Sequence, residues 1–234
     1  MTLAQNIKLA FADIWKFLSF RFTTEDYERL NWIHFCIGFL STWMVGIARN
    51  WDYPTATIFA KLGLASLAYI FFMALFLFLF AWPPSTKKQS YFKVLTVVAM
   101  TAPPGLIYGI PVEQMMALED AQAMNLGFLF LVALWRVSLV FHFFRVGCQN
   151  RPGLSFSILL IPILLLIIAL VQTGRAGYVL QLMGGLRSQE PSALDHVNDI
   201  VAVLYILSWP IFIFSAGLYF IESLITSRAR KKNL

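Results

Sequence analysis

Long apolar stretches alternate with short polar or Gly- and Pro-bearing connections along the whole chain, at about residues 27–47, 56–82, 91–111, 125–147, 154–173 and 197–223. Each is close to the ~20 apolar residues that an α-helix needs to cross a bilayer core. The pattern predicts an all-α integral membrane protein, a single transmembrane domain over residues 1–234 with about six transmembrane helices. Residues 3–22, LAQNIKLAFADIWKFLSFRF, read differently. Leu3, Ile7, Phe11, Ile14 and Leu18 recur at helical spacing with Gln5, Lys8, Asp13 and Lys16 between them, the signature of an amphipathic helix lying on the membrane surface. Thr23-Thr24-Glu25-Asp26 follows as a Thr-x-x-acid capping box that would start a new helix.

The third apolar run is interrupted by TAPPGLIYGIPVE. Pro103 and Pro104 lack N–H groups, so a helix through them leaves the carbonyls of Ala99 and Met100 without their donors four residues on. Gly105 and Pro111 weaken the same stretch, and the expectation is a broken third span. Carbonyls freed in this way need partners inside a membrane. Counted along antiparallel helices, Arg136 of the fourth run lies at matching depth, and its five donors fit it to reach the opened turn. If the third run turned back, there would be five crossings. The acidic, base-free connection of Glu113, Glu119 and Asp120 favours a true crossing and six.

Charge sets the orientation, because Lys and Arg are retained in cytoplasmic loops. With the N-terminus inside, thirteen of the 18 basic residues fall on the inner side, among them Lys16, Arg29, Lys87, Lys93, Arg145 and the tail bases from Arg228 to Lys232. Arg49, Lys61, Arg175 and Arg187 fall outside, and Arg136 lies within a span. Both termini are therefore expected in the cytoplasm, and the arrangement suits a bacterial inner membrane. The basic tail at 224–234 also suits anionic inner-leaflet lipids. It lacks the interleaved aromatics of a nucleic-acid arm, so no nucleic acid is expected.

Composition agrees with a bilayer as solvent: 59% hydrophobic, 13% charged, mean hydropathy +0.71. A soluble domain carries about 25% charged residues. No cleavable leader is expected ahead of the first span. Cys36 and Cys148 fall in a span or on the inner side, where thiols stay reduced.

Ionisable groups inside the membrane are the default functional candidates. These are His34, Arg136, His142 and Glu222, with Arg145 close to His142. His34, His142, Glu222 and Arg145 share the inner half and could form a polar cluster serving as a proton or anion relay. Histidines at similar depth also leave haem ligation through His34 and His142 as an alternative. The plain alternative is that each histidine hydrogen-bonds locally and Glu222 pairs with an arginine. ARNWDYP at 48–54 reads as an interfacial anchor with a local Arg49–Asp52 pair. The segment between the fifth and sixth runs could lie on the outer surface as a lid.

Zincin, P-loop and nucleophile-elbow motifs are all absent from the sequence, so no catalytic residue, metal or cofactor is assigned. The leading expectation is a non-catalytic multi-pass component that packs against a partner subunit or itself among membrane lipids. A small transporter or channel using the broken third span and Arg136 is the alternative, and a lipid-modifying enzyme is third. In outline, a small six-span chain with a broken span resembles the Yip1-like class of membrane proteins; no motif of that class is matched, and no residue role is carried over.

Overall fold

The computed structural model describes residues 3–51, 58–175 and 191–232. Among these residues there are helices and turns and no strand. The chain runs α1 (Leu3–Leu18), α2 (Thr24–Glu28), α3 (Trp32–Ala48), α4 (Ile58–Lys61), α5 (Leu64–Ala81) and α6 (Tyr91–Met100). Two 3-10 turns, Pro103–Gly109 and Val112–Gln114, lead into α7 (Leu118–His142). That helix ends in a π-helical turn, Phe143–Gly147, before α8 (Pro152–Gln172) and α9 (Pro191–Lys232). Five stretches, Leu64–Ala81, Tyr91–Gly109, Ala123–Gly147, Pro152–Gln172 and Val201–Arg228, are long and apolar enough to cross a membrane. This is the architecture of an integral membrane protein. The expected first crossing is the exception, because α3 is a shorter apolar helix.

Several boundaries differ from the hydropathy pattern, each for a local reason. The surface helix stops at Leu18 and turns at Phe20, whose φ of +60° leaves the helical region. Thr23 caps α2 as the capping box predicts, with both reciprocal bonds to Asp26. The apolar run expected from Tyr27 is divided, because Asn31 caps α3 afresh and accepts from the Ile33 N–H at 2.9 Å. Gly63, at φ +66°, interrupts the second run between α4 and α5. A Cβ there would lie 2.8 Å from the backbone nitrogen of Ile47, so the turn needs glycine for space as well as for conformation. The presumed tail continues the last helix as far as Lys232. Of the segment at 174–199 expected as an outer lid, residues 191–199 are instead the first turns of α9 and 176–190 lie outside what is described, as do the Asp52 half of the Arg49–Asp52 pair and the side chains of Glu113 and Glu119.

The core forms where α3, α5, α6, α7 and α8 converge. Val97, Ala99, Ile70, Leu139, Leu154 and Ile158 are fully buried there. At Gly38 of α3, an added Cβ would meet the backbone of Ala99 and Met100 at 2.8 Å. That is a backbone-to-backbone approach of the kind small residues permit between membrane helices. α9 packs mainly on α8. Much of its remaining surface is apolar and exposed, including Ile206, Ile213 and Phe214.

Candidate functional site

The end of the bundle nearest α1 is a polar network in which Asp13, Asp26 and Glu28 each pair with a base. Asp26 accepts from Lys16, from Arg29 at 2.5 Å and from the Thr23 N–H at 2.9 Å. Burial pushes the Asp26 carboxyl up, but the hydrogen bonds from Lys16 and Thr23 outweigh it and hold the group down at about 2. Glu28 pairs with Lys93 at 2.5 Å and Lys87 at 2.9 Å, which hold its carboxyl at about 2. These bonds tie α1 and α2 to the α5–α6 connection.

The inner-half candidates take separate places. His34 is buried and contacts Asp13 at 3.2 Å and Asn31 at 3.1 Å. His142 Nδ1 lies 2.8 Å from the Tyr27 hydroxyl. Arg145 donates to the Asn150 carbonyl at 3.0 Å, and Arg151 donates to Glu222 at 3.3 Å. Among the described residues, no hydrogen bond or ion pair joins any two of His34, His142, Arg145 and Glu222. No group of three or more His, Cys, Asp or Glu gathers there to hold a metal ion. Both cysteines are free.

Arg136 reaches the proline break. α6 ends at Met100 and the tighter 3-10 turn begins at Pro103. The Ala99 carbonyl is taken by the Ala102 N–H at 3.1 Å, so the break mends part of its own loss. Arg136 Nε donates instead to the Thr101 hydroxyl at 3.1 Å, which itself donates to the Val98 carbonyl at 2.7 Å. The guanidinium thus reaches the opened turn through a side chain and not through the orphaned carbonyls.

Beyond Arg136 opens a half-open cavity of about 270 Å³. Its polar rim is Arg136, Arg49, Tyr69 and Tyr108, and its other walls are aliphatic, with Leu129 of α7, Ile163 and Leu170 of α8 and Leu204 of α9. Arg49 sits at the end of α3, its guanidinium 4.5 Å over the Tyr108 ring and its buried Nε without a hydrogen-bond partner. Arg136 lies 5.9 Å from the Tyr69 ring. Among the described residues neither guanidinium has a carboxylate partner. Arg136 also lines a second, smaller space of about 50 Å³, together with Leu77, Val98, Thr101, Val140 and Leu159. Arg136 lines both spaces.

Sequence reasoning singled out Arg136 and missed Arg49, which looked like one half of a loop ion pair. It also missed Tyr69 and Tyr108, since aromatic residues near a membrane interface usually anchor and seldom line a site. Compared with known proteins, the chain matches no family model, no curated sequence and no solved structure.

Proposed function

We propose that this protein is a non-catalytic, multi-pass membrane component that binds an anionic ligand within the membrane, at the Arg49–Arg136 pair. One observation carries the reading: two guanidiniums share one mostly apolar cavity with no described carboxylate to balance them. Charges placed in hydrocarbon are costly and mark ligand or ion pathways when no protein partner meets them. An anion supplies the missing partner, and arginine's fork suits carboxylate or phosphate oxygens. This is the binding half of the transporter alternative.

The frame belongs to the same proposal. α3 joins the five longer stretches as a sixth crossing, the Pro103–Pro104 break lies within the third, and both termini face the cytoplasm of a bacterial inner membrane. Arg49 and the cavity then occupy the outer half. α1 lies along the inner surface: Ala10, Ile14 and Phe17 pack inward, while Phe11 and Trp15 project outward as lipid anchors.

Thermal unfolding of the purified protein in an uncharged detergent tests the ligand reading. Inorganic phosphate, short carboxylates and alkyl phosphates form the panel. At least one should raise Tm in the native chain and not in the Arg49→Gln/Arg136→Gln variant; no Arg-dependent shift with any of them refutes the reading. A packing role is the second reading, favoured by the broad apolar surface of α9, where Ile206 is 68% and Ile213 66% exposed. Mass spectrometry in mild detergent decides it, since recovery as a lone monomer counts against a partner or a second copy.

A further inference from the structure

Resting on the anion-site reading, we infer that the ligand is a single-chain anionic amphiphile, a carboxylate or phosphate head on one acyl chain, that enters sideways from the membrane. The cavity has two chemically distinct sets of lining elements. Its cations and phenols come from Arg49 at the end of α3, Tyr69 of α5, Tyr108 of the 3-10 turn and Arg136 of α7, whereas α8 and α9 contribute aliphatic wall alone. A small hydrophilic anion would satisfy the arginines and leave that wall uncovered. A neutral lipid would cover the wall and leave two guanidiniums without a counter-charge. Only a molecule with both parts matches both sets.

The size and the entrance narrow the choice further. About 270 Å³ is at the lower edge of the range for small-molecule sites, which suits one chain and excludes a two-tailed lipid lodged whole. α9 packs on α8 and forms no comparable interface with α7, although both α7 and α9 line the cavity. Leu204 on that flank is 40% exposed, so the wall is open laterally, toward lipid. A ligand arriving from the bilayer brings its chain already desolvated. Binding strength then comes from the head on the arginines, while the chain supplies fit.

Photolabelling tests the inference. The native protein, held in nanodiscs of zwitterionic lipid, is irradiated with a fatty carboxylate carrying a diazirine midway along its chain, and the labelled peptides are mapped. The expected result is label on the Ile163–Leu170 segment of α8 and beside Leu204, competed by unlabelled palmitate and not by hexadecanol. Label at these places should fall at least tenfold in Arg49→Gln/Arg136→Gln. It should fall comparably in Leu166→Trp, which adds bulk at the aliphatic wall and leaves both arginines in place. Label spread over outward-facing positions such as Phe72 and Leu134, indifferent to both variants, overturns the inference. If phosphate gives an Arg-dependent Tm shift but the diazirine probe labels no cavity residue, the amphiphile inference fails and the anion site survives. If labelling of the cavity is unchanged in the arginine variant, or is competed equally by hexadecanol, the amphiphile inference fails, and the Arg-dependent Tm shift alone decides the anion site.

Discussion

The two ends of the helix bundle treat charge in opposite ways. Near α1 and α2, Asp13, Asp26 and Glu28 each face cations, and Asp26 alone gathers Lys16, Arg29 and Thr23. At the end of α3, Arg49 and Arg136 face tyrosine rings, a threonine hydroxyl and a cavity. Balanced charges held by many local bonds act as structural fasteners. Arg49 and Arg136 have no carboxylate partner among the described residues, and on the anion-site proposal they await a counter-charge. On that proposal the difference separates groups that serve stability from groups available to a ligand, and substitutions at each end should respond accordingly.

The largest stability effect is expected at Asp26. Asp26→Ala removes a buried acceptor used by four donor groups and should destabilise the protein by about 2 kcal/mol, read as a lower Tm. Thr23→Ala, which loses the cap and the hydroxyl bond to Asp26 but keeps the backbone N–H bond, should cost about 1 kcal/mol. A Tm for Asp26→Ala equal to the native value would show that the network fastens nothing.

Acid should loosen the same end selectively. The Asp26 carboxyl is lowered from 3.8 to about 2 in the fold, so its contribution is complete above 3.8 and is lost as pH falls toward 2. Glu28 acts in the same direction, from 4.5 to about 2, but it is 41% exposed and its share is screened by salt. Spin labels at positions 14 and 17 of α1 should therefore gain mobility between about pH 4 and pH 2, whereas one at position 132, on the cavity wall, should not, because no carboxylate among the described residues lines that cavity. Simultaneous loosening at all three positions would erase the contrast.

The smallest stability effect is expected at the arginine pair. Arg49→Met removes a charge with no described ionic partner and replaces it with a flexible apolar side chain, so the ligand-free Tm should stay unchanged or rise. Arg136→Leu should cost slightly more, since it leaves the Thr101 hydroxyl without the Arg136 donor. A fall in the ligand-free Tm as large as that of Asp26→Ala would identify Arg49 as one more fastener. Placement of the cavity in the outer half depends on topology, which a cysteine at position 119 reports: an impermeant reagent should label it in intact cells.

Much of the frame is legible without coordinates. Apolar run length and a low charge content imply membrane helices because hydrocarbon offers no partner to the backbone. The Thr23–Asp26 capping box and the change of helix type around Pro103 are equally local, since each turns on groups within a few residues. Depth counting even set Arg136 beside the break, although it chose the carbonyls over the Thr101 hydroxyl as its target. Hydropathy alone missed the re-cap at Asn31 and the turn at Gly63, because apolar residues continue through both and averaging hides single caps and positive φ values.

The pairing of charges was decided only by the tertiary structure. Sequence order puts Arg49 three residues from Asp52 and groups His34, His142, Arg145 and Glu222 by depth alone. Depth is one coordinate, and it does not say which face of a helix a side chain occupies or which helix stands opposite. The crossing of α3 on α6 at Gly38 brings the proline-rich turn to the end of α3, so that Tyr108 lies under Arg49 and Thr101 beside Arg136. From the chain alone follow the membrane as solvent, the local caps and the break. That two distant arginines share one cavity with aliphatic walls follows only from how the helices pack, because no local pattern records contacts between residues so far apart in sequence.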